Sequence, residues 1–243
     1  MKLLFRIVAV AVLLAMFAAC DKTPQPPLVF GASAWPGYEP VYLARELGYY
    51  KDANLRLDDY ASAAEVEQAF RSHKIQLAAI TLEQALLLRR DMPEMKIILL
   101  FDGEADGASG KRPESGKRPE GDNRMDVLVT RDDSIGQYHH ELQQLLHGWR
   151  HALDYMRSDV DKATQIMAQH EHLTPAQFKL ALQGIELYGL QRNQQLMIGE
   201  PPPVGGAIEA AQRTMLGQGK LNIGVDPSML LESTLLAEPE KTK

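Results

Sequence analysis

The chain has 243 residues, 45% of them hydrophobic, with 26 Lys and Arg against 32 Asp and Glu and a net charge of −6. An acidic balance argues against nucleic acid as a partner, because phosphate binding calls for a basic surface. The single cysteine, Cys20, cannot form an internal disulfide, so the fold has to rest on an apolar core, for which the length is sufficient.

Lys2 and Arg6 precede an apolar run at 7–17 that is too short to span a bilayer comfortably, which predicts a targeting segment. It ends in Phe17-Ala18-Ala19-Cys20, small residues before a lone Cys, as in a bacterial lipobox. Residues 1–19 are therefore expected to be a lipoprotein signal peptide, with Cys20 acylated. The other reading is an ordinary secretory signal cut near Ala19, leaving a free thiol. Removal of Lys2 and Arg6 leaves 24 basic residues against 32 acidic, a net charge of −8. The proline-rich stretch to residue 27 reads as a membrane tether.

From residue 28 the pattern alternates. Residues 28–32 form an apolar, strand-like run. Pro40 opens a helix with Val41, Ala44, Leu47 and Gly48 at helical spacing. A short strand at 55–60 precedes Ser62-x-x-Glu65, a capping-box signature, and a helix with Val66, Ala69 and Phe70 on one face. A third strand at 75–80 leads to Thr81-x-x-Gln84, again a capping box, and residues 95–101 form a continuous apolar strand. Strand, helix, strand, helix implies a parallel sheet, and such sheets bind ligands outside the carboxyl ends of their strands. Residues 33–38, 61–64 and 81–83 reach that edge. Helix N-termini there suit an anionic or strongly polar small ligand. Ser62 reads as a cap, and Thr81 as either a cap or a ligand-facing group. Trp35 and Tyr38 sit in a loop set by Pro36-Gly37, where a large aromatic needs a reason.

Residues 103–124 carry the hexapeptide Ser109-Gly110-Lys111-Arg112-Pro113-Glu114, repeated verbatim from Ser115 to Glu120, and lack apolar periodicity. This composition predicts a solvated linker. Residues 125–132 read as a further strand. The next helix carries Leu142, Leu145, Leu146, Trp149, Leu153 and Met156 on one face. The remainder reads as helical: residues 161–169, a capped helix at Thr174-Pro175-Ala176-Gln177, a break at 200–203, and helices at 206–216 and 226–237. His140, His147 and His151 share a stripe opposite the Leu/Trp face, which reads as a wet helix face rather than a metal site. No nucleophile elbow, phosphate loop or paired-cysteine motif is present in the sequence, so neither an enzyme nor a cofactor is expected.

The run from Trp35 to Asp52, Trp-Pro-Gly-Tyr-Glu-Pro-Val-Tyr-Leu-Ala-Arg-Glu-Leu-Gly-Tyr-Tyr-Lys-Asp, resembles the first loop and helix of NMT1/THI5-like periplasmic solute-binding proteins. These are close to the sulfonate, nitrate, taurine and thiamine-precursor receptors of ABC importers. Residues 28–102 and 125–243 resemble the first lobe of that family, and the linker stands where its second lobe would be. The resemblance implies a Rossmann-like α/β fold, a single lobe of a type II periplasmic binding protein completed by C-terminal helices. It further implies ligand contacts from Trp35, Gly37, Tyr38, Thr81, Leu82 and Asp102. The expected role is reception of a small organic solute for an ABC permease and ATPase, at the periplasmic face of the membrane, held by the lipid on Cys20 and weakened by loss of the second lobe. Two other readings stand beside it: a one-lobed lipoprotein that binds another protein, and, with no residues found to carry the chemistry, an enzyme of thiamine-precursor synthesis.

Overall fold

The computed structural model describes residues 25–104 and 125–237. The expected signal segment at 1–19, Cys20, the start of the expected tether and the hexapeptide repeats lie outside the described residues.

Four strands alternate with three helices in the first part of the chain: β1 (Leu28–Ser33), α1 (Glu39–Glu46), β2 (Leu55–Tyr60), α2 (Ala63–Arg71), β3 (Leu77–Thr81), α3 (Leu82–Asp91) and β4 (Met95–Glu104). The second part begins with β5 (Asp126–Arg131), α4 (Asp132–Gln137), α5 (His139–Ser158), α6 (Val160–His170) and α7 (Pro175–Ala181). It continues with β6 (Ile185–Leu187), α8 (Leu190–Met197), α9 (Gly205–Gly217), α10 (Pro227–Leu230) and α11 (Thr234–Ala237).

All six strands form one sheet in the order β2-β1-β3-β5-β4-β6. β1 pairs in parallel with both β2 and β3, as the alternation of strand and helix requires. β5 slots between β3 and β4 and is antiparallel to each, so β1 to β4 all point one way and the sheet is mixed. The chain leaves β4 and re-enters β5 at the same edge of the sheet. A strand that starts where its neighbour ends has to run back against it.

Three sequence expectations need correction. β4 continues to Glu104, so Gly103 and Glu104, assigned above to the linker, pair with Glu186 and Ile185 of β6. The second part of the chain is not wholly helical, since β6 covers the outer edge of β4; three residues are too few to show a period. The helix expected at 226–237 is broken, because Leu231 bridges to Ile97 and the Glu232 N–H donates to the Ile97 carbonyl at 2.9 Å.

The core lies on both faces of β1, β3, β4 and β5, whose apolar residues are almost all buried. α5 lays Leu142, Leu145, Leu146, Trp149 and Leu153 onto it, the face that its spacing predicts. Asn193 of α8, fully buried, stands in for a strand. Its amide donates to the Leu100 carbonyl at 3.0 Å and its oxygen accepts the Leu100 N–H at 2.7 Å. This satisfies backbone groups of β4 where its pairing with β5 shifts register between Ile97 and Leu99 and again between Leu100 and Asp102.

Candidate ligand-binding edge

The carboxyl ends of β1, β3 and β4 and the start of β5 share one edge of the sheet. The β1–α1 loop is a tight turn in which the Tyr38 N–H donates to the Trp35 carbonyl at 2.9 Å. Pro40, in the first turn of α1, takes a position where a missing N–H costs nothing. The turn turns Tyr38 inward, where it is 3% exposed and its ring meets Phe101 at 5.1 Å. Trp35 stays half-buried at the surface, and its indole Nε1 donates to Asp102 Oδ2 at 3.1 Å.

Asp102 is 1% exposed, and its other oxygen accepts the Asp126 N–H at 3.2 Å. Its bond to the indole Nε1 holds the Trp35 ring in one orientation. Gly37 has a matching reason: a Cβ there would lie 2.5 Å from Trp35 Nε1 and closer still to Asp102 Oδ2. Only a residue without a side chain fits over this hydrogen bond.

Thr81 sits beside this group through the sheet: Thr81 aligns with Asp126 across β3 and β5, and Asp126 with Asp102 across β5 and β4. Its hydroxyl accepts the Gln84 N–H at 3.1 Å, and the Gln84 side chain accepts the Thr81 N–H at 3.1 Å. That is a complete capping box at the start of α3. Leu82 is buried, and its N–H donates to the Met125 carbonyl at 2.9 Å. The six residues singled out in the sequence therefore converge on one edge. Trp35 and Thr81 retain solvent exposure, whereas Gly37, Tyr38, Leu82 and Asp102 are buried behind them.

Sequence reasoning missed a second group, directly behind the same loop. Glu39, the first residue of α1, is 2% exposed, and both its oxygens face His170 Nδ1, at 2.9 and 3.1 Å. His170 ends α6, stacks on Tyr42 with ring centroids 4.0 Å apart, and places Nε2 3.6 Å from Asp59 Oδ2 of β2. Glu171, next in the chain, lies half-buried beside this group, and its Oε1 is buried without a hydrogen-bond partner. Burial pushes the Glu39 carboxyl up to about 7, against the opposing pull of His170. The Glu39 carboxylate raises His170 above the ordinary imidazole value, and burial raises Glu171. No local signal marks this group, because Glu39 and His170 lie 131 residues apart in the chain.

The histidine stripe of α5 is engaged at one end. The His151 ring lies 5.2 Å from Tyr49, and its Nε2 meets the Arg150 guanidinium at 3.1 Å. Among the described residues no three His, Cys, Asp or Glu side chains are grouped to hold a metal, and no helix is long and apolar enough to cross a membrane.

No family model matches the chain, and no curated protein matches its sequence. Solved structures do match its fold. The ligand-binding component of an ABC-type import system from Staphylococcus aureus, with zinc bound, superposes with a TM-score of 0.64 at 11% identity, covering 90% of this chain and 100% of that one. The alkanesulfonate-binding protein SsuA from Xanthomonas axonopodis pv. citri, bound to MOPS, gives 0.62 at 11% identity, covering 86% and 99%. The periplasmic nitrate-binding protein NrtA from Synechocystis PCC 6803 gives 0.57 at 12% identity, covering 84% of each chain. At these identities the likeness is one of architecture: the chain has the α/β fold of a periplasmic-binding-protein lobe.

Proposed function

We propose that this protein is a solute receptor of an ABC import system, binding a small organic molecule at the edge where Trp35 and Thr81 meet. The observation that carries this reading is the support built under Trp35. A buried carboxylate, a glycine with no room for a side chain and a backbone turn all fix one half-exposed indole at the carboxyl end of the sheet. That is where ligands of open α/β sheets bind. A receptor role also agrees with its structural neighbours, which include the ligand-binding component of an import system and a periplasmic nitrate-binding protein, and the reading extends to a periplasmic location and to partnership with a permease and ATPase. Sulfonates, nitrate-like anions and thiamine-type pyrimidines are the ligand classes to test first. No enzymatic role is proposed.

Residues 105–124 are too few to bury a second core, so the ligand surface is read as one half of a cleft. Two-lobed receptors close around their ligand by a hinge, and a half-cleft lacks both that closure and the opposing contacts. Binding by the isolated chain is therefore weak. Membrane attachment is read as passing through an acylated Cys20.

The test is calorimetry and NMR titration of the soluble domain with aliphatic sulfonates, nitrate and aminopyrimidines. Weak binding that perturbs the Trp35 indole and vanishes in Trp35→Ala supports the reading. Tight, saturable binding by the monomer contradicts the half-cleft. A Trp35 signal untouched by every class contradicts the ligand surface. For the anchor, Cys20→Ser should release the protein from membranes or block its maturation; unchanged fractionation and electrophoretic mobility would count against it.

A further inference from the structure

The chain enters its fold at one end of the sheet. The Gln25 carbonyl accepts the Asn54 side-chain N–H at 2.8 Å, just before β2, and the Gln25 side-chain amide donates to the Gln137 carbonyl at 2.8 Å, at the end of α4. The Leu28 N–H donates to the Asn54 carbonyl at 2.9 Å, which fixes the same level. α4 follows β5, whose last residue, Arg131, aligns with Met95, the first of β4. Gln25 is therefore held at the amino ends of β1, β2 and β4. Trp35 and Thr81 lie at the opposite end, past the last residues of β1 and at the end of β3.

Lengths give this placement a consequence. Cys20 precedes Gln25 by five residues, which reach at most about 18 Å when fully extended. The six residues of β1 alone are about 20 Å long. A chain running from Gln25 up the side of the molecule would also have to round a helix layer about 10 Å thick. Five residues fall short of the ligand edge. Resting on the Cys20 anchor proposed above, we infer that the anchored domain stands with the amino ends of its strands toward the bilayer and its ligand edge toward the aqueous compartment. Exposed charges at the amino end are mixed, Lys51 and Lys74 against Asp52, Asp132 and Asp133, so the tether sets this orientation rather than attraction to anionic lipid. Solute from the aqueous compartment reaches the edge unobstructed. A permease meets it only through a segment that rises from the bilayer by about the height of the strands.

The experiment places one label at each end of the sheet. Lys74, directly before β3, is exposed at the amino end, and Ala61, directly after β2, is exposed at the ligand edge. Cys20 is the one native cysteine, and its acylated sulfur does not react, so Lys74→Cys and Ala61→Cys each carry a single reactive thiol. The acylated full chain, fluorescently labelled at that thiol, is inserted from outside into preformed phosphatidylethanolamine/phosphatidylglycerol vesicles that hold a dilute headgroup-labelled energy acceptor. Transfer from the Ala61 position should be less than half of that from the Lys74 position. Twenty Gly and Ser residues inserted after Lys22 give a tether with a root-mean-square span of about 25–30 Å, which should bring the two values together. An anchored chain whose Ala61 label lies as near the lipid as its Lys74 label overturns the orientation and leaves the anchor standing. A difference that persists in the lengthened chain overturns the tether as its cause. A chain that fails to float with vesicles, and whose Cys20 reacts with the dye, overturns the anchor and the orientation together.

Discussion

The two tryptophans of this protein make the same kind of hydrogen bond in opposite settings. Trp149 is fully buried in α5, its ring set edge-on against Phe101 at 5.2 Å, and its indole N–H donates to the Tyr188 carbonyl at 2.9 Å. Trp35 is half-buried at the rim, and its N–H donates to the carboxylate of Asp102. In the core the partner is a backbone oxygen, so the bond satisfies a buried donor and the surrounding packing fixes the ring. At the rim packing covers one side of the indole, and a charged acceptor takes over its orientation. The difference teaches that a core aromatic is placed by volume and a rim aromatic by a dedicated polar partner.

The sharpest break of this comparison is Trp149→Ala. It should cost about 3–5 kcal/mol in urea unfolding, the range for emptying a buried aromatic site. Gly37→Ala should follow at about 1–3 kcal/mol, because its new methyl overlaps the Trp35–Asp102 bond; the Trp35 emission should shift with it. A Gly37→Ala variant as stable as the parent would mean that the rim is far softer than its geometry. Asp102→Ala removes a charged acceptor from two donors, and about 1.5–3 kcal/mol is the scale of such a loss. Its diagnostic is greater mobility of the Trp35 ring, with Trp149 unmoved.

Smaller is the effect of pH. The folded-state values of Glu39, His170 and Glu171 are all raised, so each binds its proton more tightly in the folded chain than in the unfolded one. Their contribution is fully present below the unfolded carboxyl value and fades as pH rises toward about 7 and through the His170 transition. Stability should therefore decline from about pH 5 to 8, at most about 1.4 kcal/mol per pH unit for each extra proton held. Glu39→Gln should flatten this decline in pH-dependent urea midpoints, and a stability that instead climbs over the window would reverse the assignment. The smallest stability change belongs to Trp35→Ala. A half-exposed ring contributes less burial than a core one, so the loss should stay near 1 kcal/mol, while ligand binding suffers most.

Much of this was legible in the chain itself. Thr81-x-x-Gln84 and Thr174-x-x-Gln177 each form the reciprocal capping box that their spacing announces. The leucine stripe of α5 faces the core, and β1 to β4 alternate with helices in order, because propensity and periodicity act over a few residues. The six residues named from the family resemblance lie together at one edge of the sheet. Their arrangement was not legible: that Tyr38 turns inward, that Asp102 accepts the Trp35 indole N–H, and that Gly37 is small because a hydrogen bond passes over it all depend on β4 arriving beside the β1–α1 loop. Likewise β6 and Asn193 complete the edge of β4 with no periodic trace, and Glu39 meets His170 only once α1 and α6 pack. Local sequence set the elements, the caps and the apolar faces, since these answer to neighbours along the chain. The tertiary structure alone decided which polar groups are buried together, because a carboxylate's partner and its proton depend on what folding brings within 3 Å of it.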